Sequence, residues 1–297
     1  MKLRHSLEHG ALLAVALVFK AVPRRLALSI GAGLGWFFWT VRLRRGIVLG
    51  NIAQAMPEAS LTERKRIAAR AARNFGRSAG EFFRFGGRDR ERTGELVSIA
   101  GDDELRAVLA EGRGAIVVTG HLGAWALYVA AIAIAGIPTS LLIGRQSNPK
   151  VHDFIRSLPG EHLTFISQRK TAPRALLQSL ADGKALVLVA DQHAGGRGTV
   201  APFFGRETFT MALPAALIGR RGTALFGMFG HRVEGGRHAL TIERLAVPDV
   251  DGENKAWRRR RIATLCNESI ARAALDHPDQ YFWYHRRYRP TDPPGPL

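Results

Sequence analysis

The stretch Gly120-His121-Leu122-Gly123-Ala124-Trp125-Ala126 sets a histidine where its ring can handle a proton. The apolar run Ala115-Ile116-Val117-Val118 precedes it and reads as a buried strand. A second apolar run begins at Ala124 and is long enough for a helix. A side chain at such a strand-to-helix turn can face a cleft, near N–H groups that no helical carbonyl satisfies. A neutral imidazole near pH 7 can take the proton of a hydroxyl. A carboxylate on its other ring nitrogen fixes the tautomer and stabilises the imidazolium. Position 126 lies five residues on, about 140° around a regular helix. A carboxylate there meets His121 only if the histidine precedes the helix, and the residue present is Ala126. A second candidate is Asp191, directly after Val187–Ala190, at the carboxyl end of another expected strand. Open α/β sheets gather functional groups at that edge.

The elements that must hold these residues alternate. Strands are expected over Ala115–Thr119, Thr139–Ile143, Leu163–Ile166, Ala185–Ala190, Ala224–Phe229 and Ala239–Leu245. Helices are expected over Ala124–Ala135, Pro149–Arg156, Ala172–Ala181 and Leu213–Arg220, with Asn148 capping the second. The pattern predicts an α/β fold with a largely parallel central sheet flanked by helices. Glu234-Gly235-Gly236-Arg237 reads as the turn of a closing hairpin, and a last helix runs from about Asn254 to Leu275. Ser60-x-x-Glu63 is a capping box that opens an arginine-rich helix to about Phe85, stopped by Gly86-Gly87.

The 297 residues carry 43 Lys and Arg against 25 Asp and Glu, a net charge of +18. That balance favours anionic partners such as phospholipid headgroups, nucleic acid or an acidic protein. No nucleic-acid motif is present, and the apolar N-terminus argues against such a partner. Ala11–Phe19 and Leu26–Val41 are apolar but shorter than the roughly 20 residues of a span. We expect residues 1–45 to form a membrane anchor that lies in or dips through the bilayer, with Trp36 and Trp39 at the interface and Arg42, Arg44 and Arg45 outside it. Residues 46–297 then form the catalytic domain. The lone Cys266 reads as a small core residue. Gly31-x-Gly33-x-Gly35 lies in an apolar helix rather than after a strand, against a dinucleotide site. His193, His231 and His238 lack metal-ligand spacing. Trp257-Arg258-Arg259-Arg260-Arg261 reads as a solvated helix start, or as a contact for an acidic carrier protein or lipid phosphates.

The histidine stretch resembles the His-x4-Glu/Asp motif of the glycerolipid and lysophospholipid acyltransferase superfamily. Further blocks resemble the bacterial lipid A late acyltransferases over roughly residues 44–290. They are Arg44-Arg45-x-Ile47-Val48-x-x-Asn51, Gly144-Arg145-Gln146-Ser147-Asn148-Pro149, Asp191-Gln192, Pro202-Phe203-Phe204-Gly205 with Thr208 and Thr210, and His277 through Arg287.

The resemblance implies a glycerolipid acyltransferase-like domain with an N-terminal hydrophobic anchoring region. It implies a membrane-associated O-acyltransferase at the cytoplasmic face of the bacterial inner membrane. The donor would be acyl-acyl carrier protein or acyl-coenzyme A, and no bound cofactor or metal is needed. The acceptor would be a hydroxyl of a lipid A precursor or a related phosphoglycolipid. A phosphatidylinositol mannoside, an ornithine lipid or a lysophospholipid is the alternative. In this reading His121 is the base, with its acid partner expected at position 126. Arg145 and Asn148 position a phosphate, while Gln192, Phe204 and Thr210 contact substrate. The N–H groups of Gly123 and Ala124 face the thioester oxyanion. Arg286 and Arg287 approach headgroups or donor. Alanine at 126 implies impaired catalysis. Two alternatives stand beside that: Asp191 supplies the carboxylate, or the chain is a lipid-binding relative without catalysis.

Overall fold

Strands buried on both faces are written as unbroken apolar runs, and Ala115–Thr119 and Ala185–Val189 are such runs. In the computed structural model of the chain, residues 2–144, 146–168, 171–218, 223–247, 254–289 and 292 are described. Four helices come first: α1 (Lys2–Ala21), α2 (Arg24–Thr40), α3 (Arg45–Ala55) and α4 (Leu61–Phe85). There follow α5 (Arg88–Glu91), α6 (Thr93–Leu96), β1 (Val97–Ala100), α7 (Asp103–Ala110), β2 (Ala115–Thr119), α8 (Trp125–Ile134), β3 (Thr139–Ile143) and α9 (Pro149–Ser157). Next come β4 (Leu163–Ser167), α10 (Ala172–Ala181), β5 (Ala185–Val189), β6 (Thr199–Phe203), β7 (Arg206–Thr210), α11 (Leu213–Leu217), β8 (Ala224–Arg232), β9 (His238–Arg244) and α12 (Lys255–Asp276).

The main sheet has seven strands in the order β1-β9-β8-β2-β5-β3-β4. Strands β8, β2, β5, β3 and β4 run parallel, β9 is antiparallel to β8, and β1 is parallel to β9. The expected α/β sheet and its closing hairpin are therefore present. Alternate residues of β2 and β5 point to opposite faces. Val117 and Val187 pack with Leu127, Val129 and Ile132 of α8. Ile116, Val118, Leu186 and Leu188 pack with Leu176 and Leu180 of α10 and with Ile262 and Cys266 of α12. Cys266 is thus a core residue, as expected.

The N-terminal helices are built by different means. Ser60 caps α4 by accepting a hydrogen bond from the Glu63 N–H at 3.2 Å. Helix α2 approaches α4 backbone to backbone: a Cβ on Gly31 would strike the carbonyl of Gly76, and one on Gly35 the carbonyl of Ala72. The glycine spacing in α2 is a close-packing device. A buried charge network ties the pair down. Arg24 donates to Glu81 and Asp89 at 2.6 Å each, Arg84 donates to both Asp89 oxygens, and Glu81 also receives Arg232 and His238.

Among the described residues no single helix is long and apolar enough to cross a membrane. Helices α2 and α3 reach the length together but are bent by 96°. Trp36 is exposed. Trp39 departs from the interfacial expectation: it is buried in a cluster with Val48 and Ile52, because the turn into α3 folds back over it.

Candidate active site

Strands β2 and β5 are neighbours in register, with Thr119 opposite Val189. Two residues further on, the same register sets His121 beside Asp191. The Ala190 N–H donates to the Thr119 carbonyl at 2.9 Å and carries the pairing past the strand ends. His121 Nδ1 lies 2.8 Å from Asp191 Oδ1, and the His121 backbone N–H donates to Oδ2 at 2.8 Å. The Tyr281 hydroxyl donates to the same Oδ2 at 3.1 Å.

An ionised carboxylate only accepts hydrogen bonds, so the proton of the neutral imidazole sits on Nδ1. Nε2 then carries the acceptor lone pair. It faces the Gln192 amide nitrogen at 3.4 Å. The aromatic rings of Trp125 and Phe282 stand 5.1 and 5.8 Å from the imidazole.

Burial alone would raise the Asp191 pKa. The charge on His121, with the hydrogen bonds from its ring and backbone and from Tyr281, pulls it down to about 2. For His121, burial opposes the charged form, but the Asp191 carboxylate outweighs it and holds the pKa above the ordinary histidine value. The Asp191 side chain is 3% exposed and that of His121 19%, so the acid is sealed while the base opens outward.

The C-terminal segment braces this turn. Gly123 N–H donates to the Gln280 carbonyl at 3.0 Å, Phe282 N–H donates to the His121 carbonyl at 2.9 Å, and Leu122 bridges Tyr281. Asn51 donates to the carbonyls of Trp283 and His285, and Arg44 to that of Tyr284. The first and last sequence blocks, over 230 residues apart, therefore meet behind the histidine.

Several expectations are revised by these contacts. The Gly123 N–H is engaged by Gln280 and is not available to an oxyanion. Ala124 is the buried N-cap of α8, and its carbonyl accepts from Leu127 and Tyr128. Ala126 lies in the first turn of α8, while the nitrogen that an acid there would orient already faces Asp191. Asn148 accepts from the Lys150 N–H at 3.1 Å as the cap of α9, and its amide donates to the His5 carbonyl and Glu8 in α1. Arg145 lies outside the described residues.

Phe203-Phe204-Gly205-Arg206 forms the tight turn of the β6–β7 hairpin, with Phe204 and Gly205 both at positive φ, 47° and 75°. The Phe204 ring packs on Phe203 and Trp283 rather than standing free. The Thr210 hydroxyl is buried and accepts from Asn267 and Arg287. Arg287 is buried too, against the expectation of a headgroup contact: it donates to Thr208, Thr210 and the Phe209 carbonyl. Arg260 is engaged with both oxygens of Glu207. Tyr281 enters the site without having been singled out in the sequence. The period-two spacing of Tyr281 and Trp283, with a phenol that needs a partner once buried, is the signal that points to it.

The family model of the bacterial lipid A biosynthesis acyltransferases matches residues 2–290, and the chain belongs to that family. A lipid A biosynthesis palmitoleoyltransferase of Escherichia coli is 24% identical over 260 residues, covering 86% of this chain and 81% of that one. A lipid A biosynthesis acyltransferase of Shigella flexneri matches to the same extent. A phosphatidylinositol mannoside acyltransferase of Mycolicibacterium smegmatis is 27% identical over 150 residues, 49% of each chain. The chain is thus an acyltransferase of a family that acts on lipid acceptors.

Proposed function

We propose that this chain transfers a fatty acyl group from an acyl carrier protein or coenzyme A thioester to a hydroxyl of a lipid A precursor or similar phosphoglycolipid. His121 Nε2 takes the hydroxyl proton as the oxygen attacks the thioester carbonyl. Asp191 holds the Nδ1 proton and stabilises the imidazolium. The tetrahedral intermediate expels the thiolate, which recovers the proton from His121. Gln192 orients Nε2 or the incoming hydroxyl, and Tyr281 positions Asp191. The observation that carries this reading is the 2.8 Å contact of His121 Nδ1 with a sealed carboxylate. It supports Asp191 in the acid role and an active enzyme despite Ala126. No residue is assigned to the oxyanion. The reaction would take place at the cytoplasmic face of the inner membrane, which exposed Leu34, Trp36, Phe37 and Phe38 on α2 suit.

The partial match to a mannoside acyltransferase supports a second acceptor, a mannosylated phosphoinositide. The test is a transfer assay with labelled acyl-acyl carrier protein and acyl-coenzyme A. Lipid A precursor, phosphatidylinositol mannoside and lysophospholipid serve as acceptors. Acylated lipid A precursor, abolished by His121→Ala, is the expected product. Product on the mannoside alone would move the acceptor, and none on any acceptor would refute the reading.

A further inference from the structure

Away from His121, an open groove of about 460 Å³ lies between the α2–α3 turn and α4. Its walls are Trp36 and Trp39 with Arg42, Arg45, Arg70 and Arg73, and no carboxylate lines it. Arg66 stands at its edge, 3.6 Å from the exposed Glu63. Arg66, Arg70 and Arg73 fall at helical spacing on one face of α4. The Arg45 guanidinium lies over the buried Trp39 ring at 4.7 Å, and that of Arg73 faces Trp36 at 6.0 Å. Stacking fixes the arginine planes and leaves N–H edges for an oxyanion.

The turn that presents Arg42 and Arg45 is itself unusual. Arg42 and Arg44 both take positive φ, 60° and 52°, in the left-handed region that non-glycine residues rarely occupy. Such strain is kept where the arrangement serves a site. Like charges gathered at one groove repel, and an anion would relieve them. Beside the groove, Phe37, Phe38, Val41 and Leu43 are each about half exposed, from 46% to 55%. A basic, aromatic-lined groove next to an apolar rim matches a lipid whose charged phosphate stays in the interface while its chains lie below.

We infer that this groove binds the headgroup phosphate of an anionic phospholipid, docking the protein on the bilayer with the Phe37–Leu43 rim inserted. Docking of this kind is independent of acyl transfer and of the roles given to His121 and Asp191.

The experiment is vesicle co-flotation of the 297-residue chain without acyl donor. Vesicles of pure phosphatidylcholine are compared with vesicles containing phosphatidylglycerol. A groove variant, Arg45→Gln/Arg70→Gln/Arg73→Gln, is set against a charge-matched control, Arg92→Gln/Arg174→Gln/Arg244→Gln, built on exposed arginines elsewhere. A headgroup contact near the surface contributes about 1 kcal/mol per arginine, so three give roughly a hundredfold. The groove variant should lose about a hundredfold in affinity for the anionic vesicles and the control no more than about threefold. An Arg→Lys triple in the groove should keep most of the binding, which separates charge loss from misfolding. Equal losses in the groove variant and the control would overturn the inference, since bulk charge would then suffice. Release of the unmodified chain from anionic vesicles by millimolar inorganic phosphate at constant ionic strength would also overturn it, in favour of a free-phosphate site.

Discussion

Replacing Asp191 by Asn keeps the side chain's shape and removes its charge. An amide oxygen at Oδ2 can still accept from the His121 N–H and the Tyr281 hydroxyl, so the fold should survive. What is lost is the anion 2.8 Å from Nδ1. Two unit charges at that distance attract by about 6 kcal/mol at an effective dielectric near 20. This energy appears as His121 becomes an imidazolium in the transition state. Triads that lose the charge but keep the geometry fall by roughly 10⁴ in kcat, about 5 kcal/mol, which agrees. We therefore expect Asp191→Asn to lower kcat about 10⁴-fold with KM little changed. The pH profile should move as well. His121 must be neutral to act, and Asp191 holds its pKa above 6.5. The rate of the unmodified protein should rise with pH along a limb centred above that value. Without the carboxylate the limb should shift to lower pH. Steady-state transfer with a labelled thioester across pH 5 to 9, with circular dichroism to confirm folding, measures both. A folded Asn variant within tenfold of the parent, or an unmoved limb, would refute the pairing argument.

Other consequences are equally direct. Tyr281→Phe removes a hydrogen bond to a buried carboxylate, so urea unfolding should show a loss of about 2 kcal/mol, with kcat down roughly tenfold. Gly31→Leu forces a side chain into the α4 backbone and should lower stability by about 3 kcal/mol in the same assay. Glu81→Ala strips a buried, shared partner from the part-buried Arg24 and Arg232, at a cost of about 3–5 kcal/mol. The Glu81 pKa is held down to about 2 despite burial, chiefly by its hydrogen bond from His238 and the charge of Arg232. Its stabilisation should be complete above pH 4.5 and fade as pH falls toward 2, a slope that Glu81→Gln should flatten.

The central strands were readable because both faces of a parallel sheet are covered, and apolar runs such as Ala185–Val189 carry that signal without ambiguity. The caps were readable too, since Ser60 and Asn148 act through local hydrogen bonds. Strand β1 was not, being four residues long and paired only to β9. The β6–β7 hairpin was hidden because Pro202 argues against a strand and Phe204-Gly205 lacks the Asn-Gly signal of such a turn. His121 and Asp191 could each be placed at a strand end. Their meeting depends on β5 lying next to β2, a choice of sheet order that no local pattern encodes. The same limit applies to Asn51 and Tyr281, which act on segments far away in sequence.

The most direct measurement is transfer by the unmodified chain beside its Ala126→Glu form, each with its His121→Ala counterpart. If Asp191 is the acid partner, the unmodified chain acylates the lipid acceptor, Ala126→Glu changes the rate by less than about threefold, and His121→Ala abolishes it in both. A silent unmodified chain that gains activity only with glutamate at 126 would contradict the assignment.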